Sequence, residues 1–174
     1  MSKRVIEPVE KENLRLRLLR EADLPMTLHW RNQDDIRCWF FYSDIISRQD
    51  HLDWFKKYLT RDDDFIFIIE EIQNGYRPIG QVSIYQVDWA AQRAEFGRLM
   101  IGESDASGKG YAFKASQMAA SIAFYTMGLK EIHLEVLVDN KKAIAIYEKM
   151  GFKLLGVSGN KQSMSLSVDQ PGIN

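Results

Sequence analysis

The sequence has little that would support several common roles. It holds one cysteine, Cys38, so no disulfide can close within the chain. A lone cysteine reads as a small buried hydrophobe before it reads as a nucleophile. No charge sign dominates: 23 Lys and Arg stand against 24 Asp and Glu, a net charge of -1. Without a basic excess, no nucleic-acid partner is expected. Apolar runs such as "FIFII" (Phe65 to Ile69) are too short to cross a bilayer, so no membrane partner is expected. The first residues, "MSKRVIEPVEKEN", are charged and lack an apolar signal core. A reducing, cytoplasmic setting is the expectation. Three scattered histidines, with no cysteine or carboxylate at ligand spacing, give no metal site. Repeats and low-complexity tracts are missing too.

What is present reads as one globular domain over residues 1–174, with 1–12 as a loose N-terminal arm. "LRLRL" (Leu14 to Leu18) alternates like a half-buried strand. Asp23 to Arg37 is helix-like, with Pro25 near its start. Ser47 to Leu59 opens on a capping pair, Ser47 and Asp50, and sets Leu52, Phe55 and Leu59 on one face. Three strands follow at Phe65 to Ile72, Pro78 to Val87 and Gln92 to Ile101. A helix from Gly110 to Met127 stops at Gly128, and a strand covers Glu131 to Val138. Asn140 caps a helix ending at Gly151, and "FKLLGV" and "SMSLSV" close the chain as strands. The class is α+β: a mostly antiparallel sheet of about seven strands, flanked by about four helices.

The stretch "ESDASGKGYAFKAS" (Glu103 to Ser116) is a glycine turn running into a helix. Gly108 and Gly110 permit close approach to a ligand, and Ala112 keeps that approach open. A helix start offers free N–H groups and the positive end of a dipole, which suits an anion such as pyrophosphate. Alone, the turn reads as plain turn chemistry before it reads as a ligand site. It is not a P-loop, because Lys109 is followed by Gly110 and Tyr111 rather than Ser or Thr. It is not a dinucleotide fingerprint, because Phe113 stands where the third glycine belongs.

A second motif, "VDNKKAIAIYEKMGF" (Val138 to Phe152), puts Asn140, Ala143 and Tyr147 on one helix face. A small residue beside a polar cap leaves room for a slender ligand that a tyrosine hydroxyl can reach. With "EFGRLMIG" before them, "GKGYA" and "DNKKAIAIYEKMGF" resemble the GNAT superfamily of N-acetyltransferases. The resemblance spans nearly the whole chain. It departs at Ser107, where the family usually has Gln or Arg.

The resemblance implies acetyl-CoA as co-substrate and no metal. Its pyrophosphate would lie on the amides of Ser107, Gly108, Lys109, Gly110, Tyr111 and Ala112. Its pantetheine arm would run beside Leu99, Met100 and Ile101, where a bulge would aim an N–H at the thioester oxygen. Asn140, Ala143 and Tyr147 would line the other side. Tyr147 would be the acid for the departing thiolate; otherwise it is a core tyrosine beside Phe152. Glu95 matches a carboxylate that several relatives use as base; otherwise it pairs with Arg93 or Arg98. His51 is a rival base, while His29 and His133 read as structural.

The acceptor is expected at the first two helices. There Trp30, Trp39 and Phe40 surround Arg31 and Asn32, and His51 and Trp54 follow. Aromatics with Arg and Asn suit stacking on a sugar or base, or they glue helices to the sheet. The pattern "WRN…I…HLDWF" resembles acetyltransferases of amino-sugar nucleotides, such as the pseudaminic acid pathway type. The broader branch includes the ribosomal-protein alanine acetyltransferases, which act on protein N-termini. The expectation is N-acetylation of a nucleotide-linked amino sugar. Alternatives are a protein N-terminus, an aminoglycoside, or a non-catalytic acyl-CoA-binding module. A homodimer is compatible with all of them.

Overall fold

The computed structural model describes residues 2–169. Its strands are β1 (Val9–Lys11), β2 (Leu14–Leu18), β3 (Asp64–Glu71), β4 (Arg77–Asp88), β5 (Arg93–Ile101), β6 (Glu131–Leu137), β7 (Lys153–Ser158) and β8 (Lys161–Ser167). Its helices are α1 (Leu24–Asn32), α2 (Asp34–Arg37), α3 (Arg48–Leu59), α4 (Tyr111–Ser121) and α5 (Lys141–Met150). The class is α+β, as expected, with eight strands and five α-helices among the described residues.

The sheet order is β1-β2-β3-β4-β5-β6-β8-β7. All neighbours are antiparallel except β5 and β6. Every residue of β3 is buried, as a central strand covered on both faces must be. Phe65, Phe67 and Ile69 join the main core with residues of α4 and α5, while Ile66 and Ile68 pack with Leu24, Phe55 and Tyr58 of α1 and α3. The two clusters therefore lie on opposite faces of the sheet.

Two helices differ from the sequence expectation. The segment from Asp23 to Arg37 breaks at Gln33, whose ψ of 135° is extended. Gln33 Nε2 donates to the Gly102 carbonyl at 3.1 Å, which ties the break to the end of β5. The helix after the glycine turn widens into a π-turn over Ile122–Thr126 before Gly128. The N-terminal arm is docked rather than loose. Val9–Lys11 pairs with β2, Ile6 is buried, and Arg4 Nε meets Asp62 at 3.0 Å. Lys3 Nζ donates to the carbonyls of Arg61 and Asp64 and sits over the Tyr58 ring. A charged arm can still dock when its cations find carbonyls and ring faces.

Two backbone features shape the site. First, β5 and β6 pair only at Arg93–Glu95 with Glu131–His133. Beyond that the strands part, and a cleft opens between them. Secondly, the β4–β5 ladder steps from Gln81↔Met100 to Ser83↔Gly97. Arg98 and Leu99 together face Val82, which is a bulge. Arg98 has φ +50°, a left-handed conformation for a residue with a Cβ.

Candidate active site

The cleft holds a cavity of about 500 Å³. Its walls come from β5 (Gly97 to Ile101), β6 (Glu135, Val136) and α5 (Asn140, Ala143, Tyr147). Ser107 and Ala112 close one end, and Trp39, Phe40 and Phe41 the other.

At the first end, Gly108 and Gly110 have φ of +75° and +79°, and a Cβ on either would meet nothing within 4 Å. The turn therefore faces open space, with room for a ligand against its backbone. Gly110 caps α4 without a side chain, and the first helical bond runs from Lys114 N–H to the Gly110 carbonyl at 3.2 Å. The amides before Lys114 have no helical carbonyl to bond. Ser107 is the exception, because its N–H already donates to the Ser104 carbonyl at 3.2 Å. Tyr111 turns its hydroxyl toward Asn13, at 3.4 Å from Nδ2, so only its backbone faces the turn. Lys109 is exposed at the rim.

Asn140 accepts from Ala143 N–H at 3.3 Å, the cap expected of it. That bond occupies its Oδ1, so Asn140 serves the site chiefly by starting α5. One turn on, Tyr147 is buried, edge-on to Phe96 at 5.9 Å and beside Phe152 at 5.7 Å. It reaches the cavity wall all the same. Burial, reinforced by the nearby Tyr85, pushes its phenol well above the ordinary range, so it holds its proton at neutral pH.

Glu95 lies one cavity over. A space of about 520 Å³, lined by Glu95, His133, Glu135 and Ser163, shares Phe41, Tyr85 and Glu135 with the first. The register explains this. Asp64, Tyr85, Glu95 and His133 stand opposite one another across β3 to β6, on one face of the sheet. Glu135 follows His133 by two residues and shares that face. Tyr147 belongs to the core cluster on the other face. Burial raises the Glu95 carboxyl above the usual carboxylate range; His133 opposes the shift and Glu135 adds to it.

The seven residues expected around the acceptor divide. Trp39 and Phe40 line the cavity. Trp30 is fully buried and donates from Nε1 to Glu103 at 2.8 Å. Arg31 lies over the Phe40 ring and donates to the Tyr42 carbonyl. Asn32 brackets Ile46, donating to its carbonyl at 2.9 Å and accepting from its N–H at 2.8 Å. His51 meets Thr27 Oγ1 at 3.1 Å and stacks on Trp54, which stacks on Tyr58. Burial lowers the His51 pKa. These five hold the first helices and the following loop together, which is the structural alternative for such residues. Cys38 is exposed, contrary to expectation, because the break at Gln33 turns its short helix outward.

Tyr85 and Glu135 were not singled out from the sequence. Glu135 alternates with Leu134 and Val136 in "EIHLEVLV", so its face was readable. Its closeness to Tyr147 depends on how far β5 and β6 part. Tyr85 enters only through the β4–β5 register.

Residues 13–153 match the profile of the acetyltransferase (GNAT) domain. The chain belongs to the GNAT acetyltransferases. It is an acetyl-CoA-dependent N-acetyltransferase, and acetyl-CoA is its co-substrate. The GNAT chain is 28% identical over 139 residues to the spermidine N(1)-acetyltransferase of Vibrio cholerae, covering 80% of this chain and 78% of that one. It is 29% identical over 153 residues to the Escherichia coli enzyme of the same name, covering 87% and 73%. A crystal structure of the Vibrio cholerae enzyme in complex with CoA and spermine superposes with a TM-score of 0.81 at 25% identity, covering 89% and 95%. These relatives carry the spermidine name. The amino-sugar and ribosomal-protein branches expected from the motifs gain no support from them.

Proposed function

We propose that this GNAT enzyme acetylates a primary amine of a small cationic acceptor, with an alkyl polyamine such as spermidine as the first reading. One observation carries it: the cleft presents different chemistry on its two faces. Carboxylates Glu95 and Glu135 stand on one, and the Tyr147 hydroxyl on the other. The relatives that act on spermidine agree with an acceptor that arrives as a cation.

Acetyl-CoA, when bound, supplies an acyl group activated as a thioester. The amides of Gly108 to Ala112 hold its pyrophosphate, and the β5 edge from Leu99 to Ile101 pairs with its extended arm. An N–H of the Arg98–Leu99 bulge polarises the thioester carbonyl. Glu135 is exposed and draws the acceptor ammonium into the cleft. Glu95, with its raised pKa, takes the proton through water, so the amine gains its lone pair. As the C–S bond breaks, Tyr147 delivers a proton to the leaving sulfur, and the nitrogen, now bonded to the acyl carbon, gives up its second proton through water, which restores the phenol. Base and acid thus act from adjoining cavities on the two sides of the cleft.

A nucleotide-linked amino sugar is the second reading. Trp39 and Phe41 are 44% and 50% exposed beside the cavity, and flat exposed rings suit a sugar face. The test is thiol release from acetyl-CoA with spermidine, UDP-linked amino sugars, alanine-ended peptides and an aminoglycoside. Turnover with spermidine and not with the sugars supports the first reading. Turnover with the sugars alone selects the second. CoA binding without release for any amine overturns both.

A further inference from the structure

Arg98 holds an unfavourable backbone conformation, φ +50°, in the wall of the cleft. A left-handed φ on a residue with a Cβ is unfavourable and persists only where its surroundings enforce it. Its surroundings can be named. Arg98 Nη1 meets Asp64 Oδ1 at 2.7 Å, and its guanidinium lies 4.2 Å over the Tyr85 ring. Gln81 Nε2 reaches its carbonyl at 3.4 Å. Only Asp64 is both charged and shielded: its side chain is 1% exposed against 28% for Arg98. Asp64 itself is immobilised. It sits at the first position of the central strand β3, and Lys3 of the docked arm caps its carbonyl. A charge-assisted bond to a fixed, desolvated carboxylate is the strongest of the three contacts.

We propose that Asp64 is a positioning residue for acyl transfer: by anchoring the Arg98 side chain, it keeps the β5 bulge in the conformation that aims its N–H at the thioester carbonyl. The proposal rests on the placement of the acyl group at the bulge given above. Asp64 is buried and does not line the cavity. Its effect passes through the φ of residue 98, which makes it separable from a general effect on packing.

The separation uses glycine, which adopts positive φ without an anchor. Four proteins are compared: wild type, Asp64→Ala, Arg98→Gly and the double variant. The carbonyl stretch of bound, isotope-labelled acetyl-CoA is read by infrared difference spectroscopy, CoA affinity by calorimetry, and acetyl-CoA turnover by thiol release. In wild type the bound carbonyl stretch is expected below that of free acetyl-CoA. Asp64→Ala is expected to return it most of the way to the free value and to lower kcat about tenfold or more, with CoA affinity changed less than about threefold. Adding Asp64→Ala to Arg98→Gly is expected to change neither readout, because the anchor has nothing left to hold. If Asp64→Ala does not fold, Asp64→Asn, which keeps the size of the side chain and removes its charge, takes its place in both comparisons. An unchanged stretch in Asp64→Ala, or an equal further loss in the Arg98→Gly background, overturns the proposal. A wild-type stretch equal to that of free acetyl-CoA overturns the acyl placement itself, and the anchor role with it.

Discussion

Replacing Tyr147 by Phe removes one oxygen from the cleft and little else. The ring is held by Phe96 at 5.9 Å, edge-on, and by Phe152 at 5.7 Å, and Phe keeps both contacts. Folding stability should therefore stay within about 1 kcal/mol of wild type. Tyr147→Ala would confound the test, because emptying the site of a buried aromatic costs about 3–5 kcal/mol. The hydroxyl matters only if it protonates the leaving thiolate. General acid catalysis contributes about 10²- to 10⁴-fold, so kcat should fall by that factor, or about 3–5 kcal/mol of barrier. Burial pushes the phenol above its ordinary value of 10.0, so Tyr147 stays protonated across neutral pH and adds no alkaline limb there. Thiol release measures kcat, and calorimetry with CoA measures binding, which the variant should leave unaltered. A Tyr147→Phe enzyme that folds, binds CoA and turns over at the wild-type rate would refute the acid role.

Glu95 acts as base only when ionised, and burial raises its pKa above the usual 4.5. The acid limb of kcat/KM should then lie above the ordinary carboxylate range, and Glu95→Gln should remove it; a limb that survives in that variant assigns it elsewhere. Ser107→Arg should tighten CoA binding in a salt-dependent way if side-chain charge helps the pyrophosphate. Unchanged affinity by calorimetry would show that the backbone alone holds it. Gly102→Ala would place a Cβ 2.0 Å from the ring of Trp30, which is fully buried. A loss of about 3 kcal/mol is expected, read as a fall in Tm of about 6–12 °C. Gly156→Ala is the control, since its Cβ meets nothing within 4 Å and should leave Tm nearly unchanged.

Local signals in the sequence carried far. The Ser47 and Asn140 caps and the Gly151 stop each report a backbone hydrogen bond or φ that depends on neighbours a few residues away. The positive φ of Gly108 and Gly110 and the place of Tyr147 on α5 are local in the same sense. What was not legible depends on distant partners. The break at Gln33 needs the Gly102 carbonyl, 69 residues on, to hold it. The docked arm needs carbonyls near Asp64, and β8 inserts between β6 and β7 with no mark in its own residues. The aromatics of the first helices carried the same ambiguity. Trp30 and Trp39 are nine residues apart and look alike in sequence, yet one is locked on Gly102 and Glu103 and the other faces the cleft.

The sheet order also explains why the chemistry sits where it does. Each strand flanking the cleft is committed on its outer side: β5 pairs with β4 along its length, and all seven residues of β6 pair with β8. Only three residue pairs join β5 to β6, and those are parallel. Sheet twist acts on two separately anchored strands and parts them beyond Glu95 and His133. Two strand edges are thereby left with backbone groups that need partners. An extended amide-bearing arm can supply them on one side, and an amine can enter between the strands from the other face. The bulge at Arg98 and Leu99 lies on the parted stretch of β5, just past its last pair with β6. The interruption in pairing is therefore what brings Glu135 and Tyr147, from opposite faces of one sheet, to one cavity, with Glu95 in the adjoining one.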